Sequence, residues 1–137
     1  MSNKLVIYTD GGARGNPGPA AIGVVIQDSQ GKTIKEVGRY LGEATNNQAE
    51  YQAVIVALEE AKKLQADQID FYLDSELVVK QLNRHYKIKD KILGSLFIKV
   101  WNLKSQFRQV NFFHIPREQN KKADAIVNKV LDKHNLK

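Results

Sequence analysis

The chain has 137 residues, no cysteine and a formal net charge of +6, and 42% of its residues are hydrophobic. That length is one domain by size, expected to span residues 1–137, and its apolar content suffices for a core; disulfides and thiolate chemistry are excluded, and no apolar run approaches the roughly 18 residues of a membrane helix. Met1-Ser2-Asn3-Lys4 runs straight into a strand, so no signal peptide is expected, and a reducing, cytoplasmic setting fits the missing cysteines.

Leu5-Val6-Ile7-Tyr8-Thr9 is a short, β-branched apolar run and reads as a strand ending at Asp10. Gly11 to Gly18 reads as a turn. Ala21 to Ile26 is a second strand, and Asp28-Ser29-Gln30-Gly31 turns it into a third, Thr33 to Leu41, giving an antiparallel meander. From Asn47 to Leu64 a helix is expected. Its face carries Glu50, Ala53, Val54, Ala57, Leu58, Ala61 and Leu64, so Glu50 takes the first position of the apolar stripe. Ile69 to Leu73 is a fourth strand. Ser75 to Asn83 is a helix, Arg84 to Lys91 a basic connection, and Ile92 to Phe107 a further helix in which Phe97 and Trp101 read as core. Val110 to Ile115 is a fifth strand stopped by Pro116, and Phe112 and Phe113 point to its opposite faces. Asn120 can cap a last helix with Ala123, Val127, Val130 and Leu131 inside. The order is βββαβααβα: an α/β fold with a five-stranded mixed sheet and helices on both faces.

Four carboxylates stand at the edges of these elements: Asp10, Glu50, Asp74 and Asp124. Each has a structural reading. Asp10 suits a turn. Glu50 could close a capping box with Asn47, as Gln48 could with Thr45. Asp74 could cap the Ser75 helix, and Asp124 could complement a helix dipole. Brought together, four acids would repel unless cations sat between them, which points to hard divalent metals. A basic chain with an acidic cluster suits a metal-dependent nuclease, with Lys and Arg for a polyanion backbone.

Asp10-Gly11-Gly12 through Asn16-Pro17-Gly18-Pro19, Asn46-Asn47-x-Ala49-Glu50, Asp74-Ser75 and Ala123-Asp124 together resemble type 1 ribonuclease H over essentially the whole chain. The Ile115-Pro116-Arg117-Glu118-x-Asn120-x-x-Ala123-Asp124 tail is similar to that of the short, reverse-transcriptase-like members from bacteria and archaea. The resemblance implies the RNase H-like fold and endonucleolytic hydrolysis of the RNA strand of RNA–DNA hybrids, leaving 5′-phosphate and 3′-hydroxyl ends. It implies two Mg²⁺ ions, with Mn²⁺ as substitute, held by Asp10, Glu50, Asp74 and Asp124. Gly11, Gly12, Asn16, Thr45, Asn46, Asn47 and the neighbouring amide of Gln48 would contact the hybrid, with Glu50 also on a ribose 2′-hydroxyl. Cleavage of double-stranded RNA and a non-catalytic hybrid-binding module are the alternatives, and no obligate protein partner or membrane is implied.

The chain departs from the family in three places. Only Arg84 to Lys91 stands where many members insert a basic, tryptophan-bearing protrusion. Glu76 replaces a groove-contacting amide. His114 has the spacing of the mobile histidine of many members, but it ends a strand with no glycine nearby, so Arg117 and Glu118 are auxiliary candidates beside it.

Overall fold

Residues 3–135 are described in a computed structural model of the chain. The elements are β1 (Lys4–Ala13), β2 (Gly18–Asp28), β3 (Thr33–Ala44), α1 (Asn46–Lys63), β4 (Gln68–Leu73), α2 (Glu76–Leu82), α3 (Lys91–Lys104), β5 (Gln109–His114) and α4 (Lys121–Asn135), with a 3-10 turn at Arg117–Gln119. The order is the expected one. The sheet runs β3-β2-β1-β4-β5; β1–β2 and β2–β3 are antiparallel, β1–β4 and β4–β5 parallel.

The strands sort their side chains by simple alternation. Leu5 and Ile7 of β1, Ile69, Phe71 and Leu73 of β4, and Val110 and Phe112 of β5 face the main core. That core is closed by α1, whose buried residues include Tyr51, Ile55 and Val56 as well as the expected stripe from Glu50 to Ala61, while Leu64 is the half-buried C-cap. The extra burial has a cause: α3 packs on the side of α1 that the sheet leaves open. The buried Tyr51 hydroxyl donates to Gln81 Oε1 at 2.8 Å and ties α1 to α2. On the other sheet face α4 lies over β1, β2 and β3, with Val127 and Leu131 against Ala21.

Coverage of that second face is partial, and the two phenylalanines of β5 lie on opposite faces as expected. Phe112 is buried at 5% exposure, but Phe113 is 43% exposed. It extends a row of stacked rings, Tyr8–Tyr72 at 5.3 Å and Tyr72–Phe113 at 5.4 Å between centroids. Trp101 corrects an expectation. It is 41% exposed rather than core, with Lys104 Nζ 4.7 Å and the Arg84 guanidinium 5.4 Å from its ring centre. Leu93 and Val100 are the residues of α3 that are fully buried.

The glycine turn is also shorter than expected. Gly11, Gly12 and Ala13 stay in β1, paired with Ile22, Ala21 and Ala20, and the chain bends only at residues 14–17. Gly11 is needed for another reason. A Cβ there would fall on the Ala49 carbonyl, so only glycine lets the start of α1 press onto β1. Gly23 plays the same part for α4, since its Cβ would meet the Ala123 carbonyl.

Gly11→Ala should therefore destabilise the fold by about 2–3 kcal/mol, because neither backbone can yield cheaply. Gly12→Ala, whose Cβ would meet Val127 Cγ1 at an ordinary 3.7 Å, should stay within about 0.5 kcal/mol. Urea midpoints of the two variants check this; equal losses would show that close approach is not what Gly11 provides.

Candidate active site

Asp10 lies inside β1 rather than at its end. By alternation it shares the α4 side of the sheet with Tyr8, and it is 8% exposed. Glu50 reaches it from the first turns of α1 and is 5% exposed. The close approach at Gly11 makes this geometry: the Gly11 N–H donates to Glu50 Oε1 at 2.5 Å. Thr45 and Gln48 close the capping box of α1, so Glu50 does not cap and is free to face Asp10. Ser75, not Asp74, caps α2. Asp74 instead accepts a hydrogen bond at Oδ2 from Asn120 Nδ2 at 3.1 Å.

One carboxylate oxygen from each of Asp10, Glu50 and Asp74 lies within 4.8 Å of the others. Asp124, in the first turn of α4, stands beside this trio. Its Oδ1 is 3.8 Å from the Arg117 guanidinium, and its Oδ2 accepts from Asn128 Nδ2 at 3.3 Å. All four acids line one cavity of about 490 Å³. Arg14, Asn46, Asn47, Ser75 and Arg117 line it too, and Val127 and Leu131 form an apolar wall.

Burial and nearby negative charge favour the protonated forms of Asp10 and Glu50. Burial, then the Asp74 charge, pushes Asp10 up to about 7. Burial, then the Asp10 charge, holds Glu50 well above the usual carboxylate range. Glu50 Oε2 is buried without any hydrogen-bond partner. A buried carboxylate oxygen with no donor, beside two further carboxylates, fits a cation.

The remaining expected residues divide. Gly11, Gly12, Asn46 and Asn47 line the cavity. Asn16 stands behind them: its Oδ1 accepts from the Asn46 N–H at 3.0 Å, while Asn46 Oδ1 accepts from the Ala13 N–H at 2.8 Å. Thr45 and Gln48 are not on the cavity wall, because the capping box uses both side chains. Of the auxiliary candidates, Arg117 lines the cavity. Glu118 lines a separate cleft of about 200 Å³ with Tyr8 and Lys121. His114 ends β5 opposite Leu73 of β4 and is not among the residues that line the cavity. Arg14, Ser75, Asn120 and Asn128 join the site without having been singled out for it in the sequence. Asn120 does not cap α4 with its side chain; it donates to Asp74 and to the Thr9 carbonyl instead.

Comparison with known proteins bears on this arrangement. A family model described as "Reverse transcriptase-like" matches residues 8–130. A bifunctional protein of Mycobacterium tuberculosis is 42% identical over 130 residues, covering 94% of this chain and 36% of that protein. The chain thus spans little more than a third of the length of the curated relatives it matches first. The RNase H1 of the halophilic archaeon Halobacterium salinarum matches in structure with a TM-score of 0.93 at 42% identity, over 95% of this chain and 98% of that one. LC11-RNase H1, from a compost metagenome and solved in complex with RNA/DNA hybrid, matches at a TM-score of 0.90 and 46% identity, over 95% of this chain and 98% of that one.

The raised acids set the sign of a pH effect. Folded Asp10 keeps its proton to about pH 7, whereas an unfolded aspartate loses it near about pH 4. Between these values the folded chain binds more protons, so its stability falls as pH rises, and Glu50 acts in the same direction. With metal chelated, Tm should fall from about pH 5 to about pH 7.5. Asp10→Asn should flatten that slope and raise Tm at the alkaline end. Equal slopes in the two proteins would show that the acids do not share one site.

Proposed function

Because this chain belongs to the ribonuclease H family, in its type 1, reverse-transcriptase-like branch, we propose that it hydrolyses the RNA strand of RNA–DNA hybrids with two divalent ions, Mg²⁺ in the first instance. The observation that carries this reading is the convergence of Asp10, Glu50 and Asp74 on one point, with Asp124 in the same cavity. The hydrogen bonds from Gly11 to Glu50 and from Asn120 to Asp74 offset part of the repulsion, and a cation or retained protons would offset the rest.

When bound, the ions would polarise the scissile phosphate and make a water nucleophilic at neutral pH. Asp10, Glu50 and Asp74 would hold one ion. Asp124, whose charge already acts on Asp10, would hold the other together with it. The short Gly11 hydrogen bond fixes Glu50, so the ligand set is orientated before substrate arrives. Asn46 and Asn47, on the wall beside Glu50, would contact the ribose, where a 2′-hydroxyl distinguishes RNA from DNA. Arg117 is 81% exposed in its side chain and only loosely paired with Asp124, so it is free to turn to a phosphate. Arg14, on the same wall, is held by Asp132 at 2.6 Å and would have to leave that pair to reach a phosphate. Products with 5′-phosphate and 3′-hydroxyl ends would follow from attack of water on phosphorus with loss of the 3′ oxygen.

A gel with labelled RNA–DNA, RNA–RNA and DNA–DNA duplexes, with Mg²⁺ and with chelator, tests the reading. Cleavage of the hybrid with Mg²⁺ alone is expected. Cleavage of RNA–RNA would widen the substrate class. Binding without cleavage would leave a hybrid-binding module, and cleavage of DNA–DNA would overturn the assignment. Asp10→Asn should cut turnover by at least about a thousandfold, or about 4 kcal/mol of barrier, with hybrid affinity little changed. His114→Ala should lose less than about tenfold. A hundredfold loss with unchanged Tm would bring His114 into the site after all.

A further inference from the structure

We propose that Asn120 is a positioning residue: its buried amide holds the Asp74 carboxylate in place for metal and anchors the loop that delivers Asp124. The inference rests on the metal-dependent reading above.

The parallel ladder between β1 and β4 runs from Lys4↔Gln68 to Tyr8↔Tyr72 and stops there. Beyond that point come Asp10, still in β1, and Asp74, just after β4, and the ladder no longer joins the two segments. Asn120 fills the break. It is 1% exposed, and its Nδ2 donates to the Thr9 carbonyl of β1 at 2.9 Å and to Asp74 Oδ2 at 3.1 Å. An amide nitrogen has two protons, and both are used. The opposite amide orientation would set oxygen against a carbonyl and a carboxylate, so these two acceptors fix which way the side chain points.

The backbone of Asn120 reaches a second acid. Its carbonyl accepts from the Asp124 N–H at 3.1 Å, and its own N–H donates to the Arg117 carbonyl at 2.9 Å. One residue thus touches Asp74 by side chain, Asp124 by main chain and the residue before Asp10 by side chain. Asn120 Oδ1 is buried with no partner. An unsatisfied buried oxygen costs stability, so packing alone does not explain an asparagine here.

Asn120→Ala removes the donor, and Asn120→Asp keeps the shape while replacing the donor with an acceptor. Both should lower kcat by about 10- to 100-fold, with KM for the hybrid within about threefold. Without any substrate, the Mg²⁺ concentration giving half of the maximal Tm increase should rise by about tenfold or more. All comparisons are made well below each variant's own Tm. Ile69→Ala, in the core away from the carboxylates, supplies matched destabilisation and should leave the Mg²⁺ midpoint unmoved. Wild-type kcat and Mg²⁺ midpoint in the folded Asn120 variants would overturn the proposal. So would failure of both variants to fold, which would assign Asn120 to the fold alone. A wild type that neither cleaves hybrid nor responds to Mg²⁺ would overturn the functional reading itself, and this inference with it.

Discussion

The direction of the strands decides where everything else can be. β1 is antiparallel to β2 and β2 to β3, while β1, β4 and β5 are parallel. Four of the five strands therefore point one way, and their C-terminal ends share one edge of the sheet. Asp10 lies near the end of β1, and Asp74 directly follows β4. Glu50 comes in the helix that follows β3, and Asp124 in the helix that follows β5. Residues scattered over more than a hundred positions meet because each is placed just after a chain segment arrives at that edge. Open α/β sheets bind ligands at the carboxyl ends of their strands for the same geometric reason.

Topology brings the acids near, but near is not enough for a site of this kind. Three carboxylate oxygens within 4.8 Å need backbone contacts that no flexible side chain could replace. Gly11 supplies the first by letting the Ala49 carbonyl sit where a Cβ would be. The arrangement is costly in charge. Burial and repulsion raise Asp10 and Glu50 far above ordinary carboxylates, so the apo protein stores an unfavourable term that a cation would release. The large apolar core under α1 is what makes that term tolerable. Stability lost at one edge of the sheet is offset by burial beneath it, as expected where a site rather than a core dictates the residues.

Much of this was legible in the residues. Apolar runs and glycine punctuation located every element within a few positions, because each is bounded by strong local signals such as Pro116 or the Asp28–Gly31 turn. The position of Glu50 at the head of an apolar stripe marked it as inward-facing, and the structure buries it. The four acids were separable from their capping roles only as a set. Sequence alone could not decide that Thr45 and Gln48 would close the helix cap and release Glu50, since Asn47 and Glu50 have the same spacing.

What stayed hidden depends on partners distant in sequence. Gly11 and Gly12 look like turn residues, yet both remain in β1, and the reason for glycine at Gly11 is a helix that arrives almost forty positions later. Trp101 reads as core from its place on the helix, and Phe113 would be buried if a helix covered its face of β5. Their exposure follows from where α4 and α3 come to rest: α4 covers β1 to β3, and α3 buries only Leu93 and Val100 fully. Asn120 is the clearest case. One position before a helix, asparagine reads as a cap by local preference. Its side chain is instead drawn inward by two acceptors, Thr9 and Asp74, that no local pattern connects to it. A residue whose partners lie 111 and 46 positions away can be read only once the sheet edge exists. The parts of a site that hold its ligands in place are therefore harder to read from a sequence than the ligands themselves.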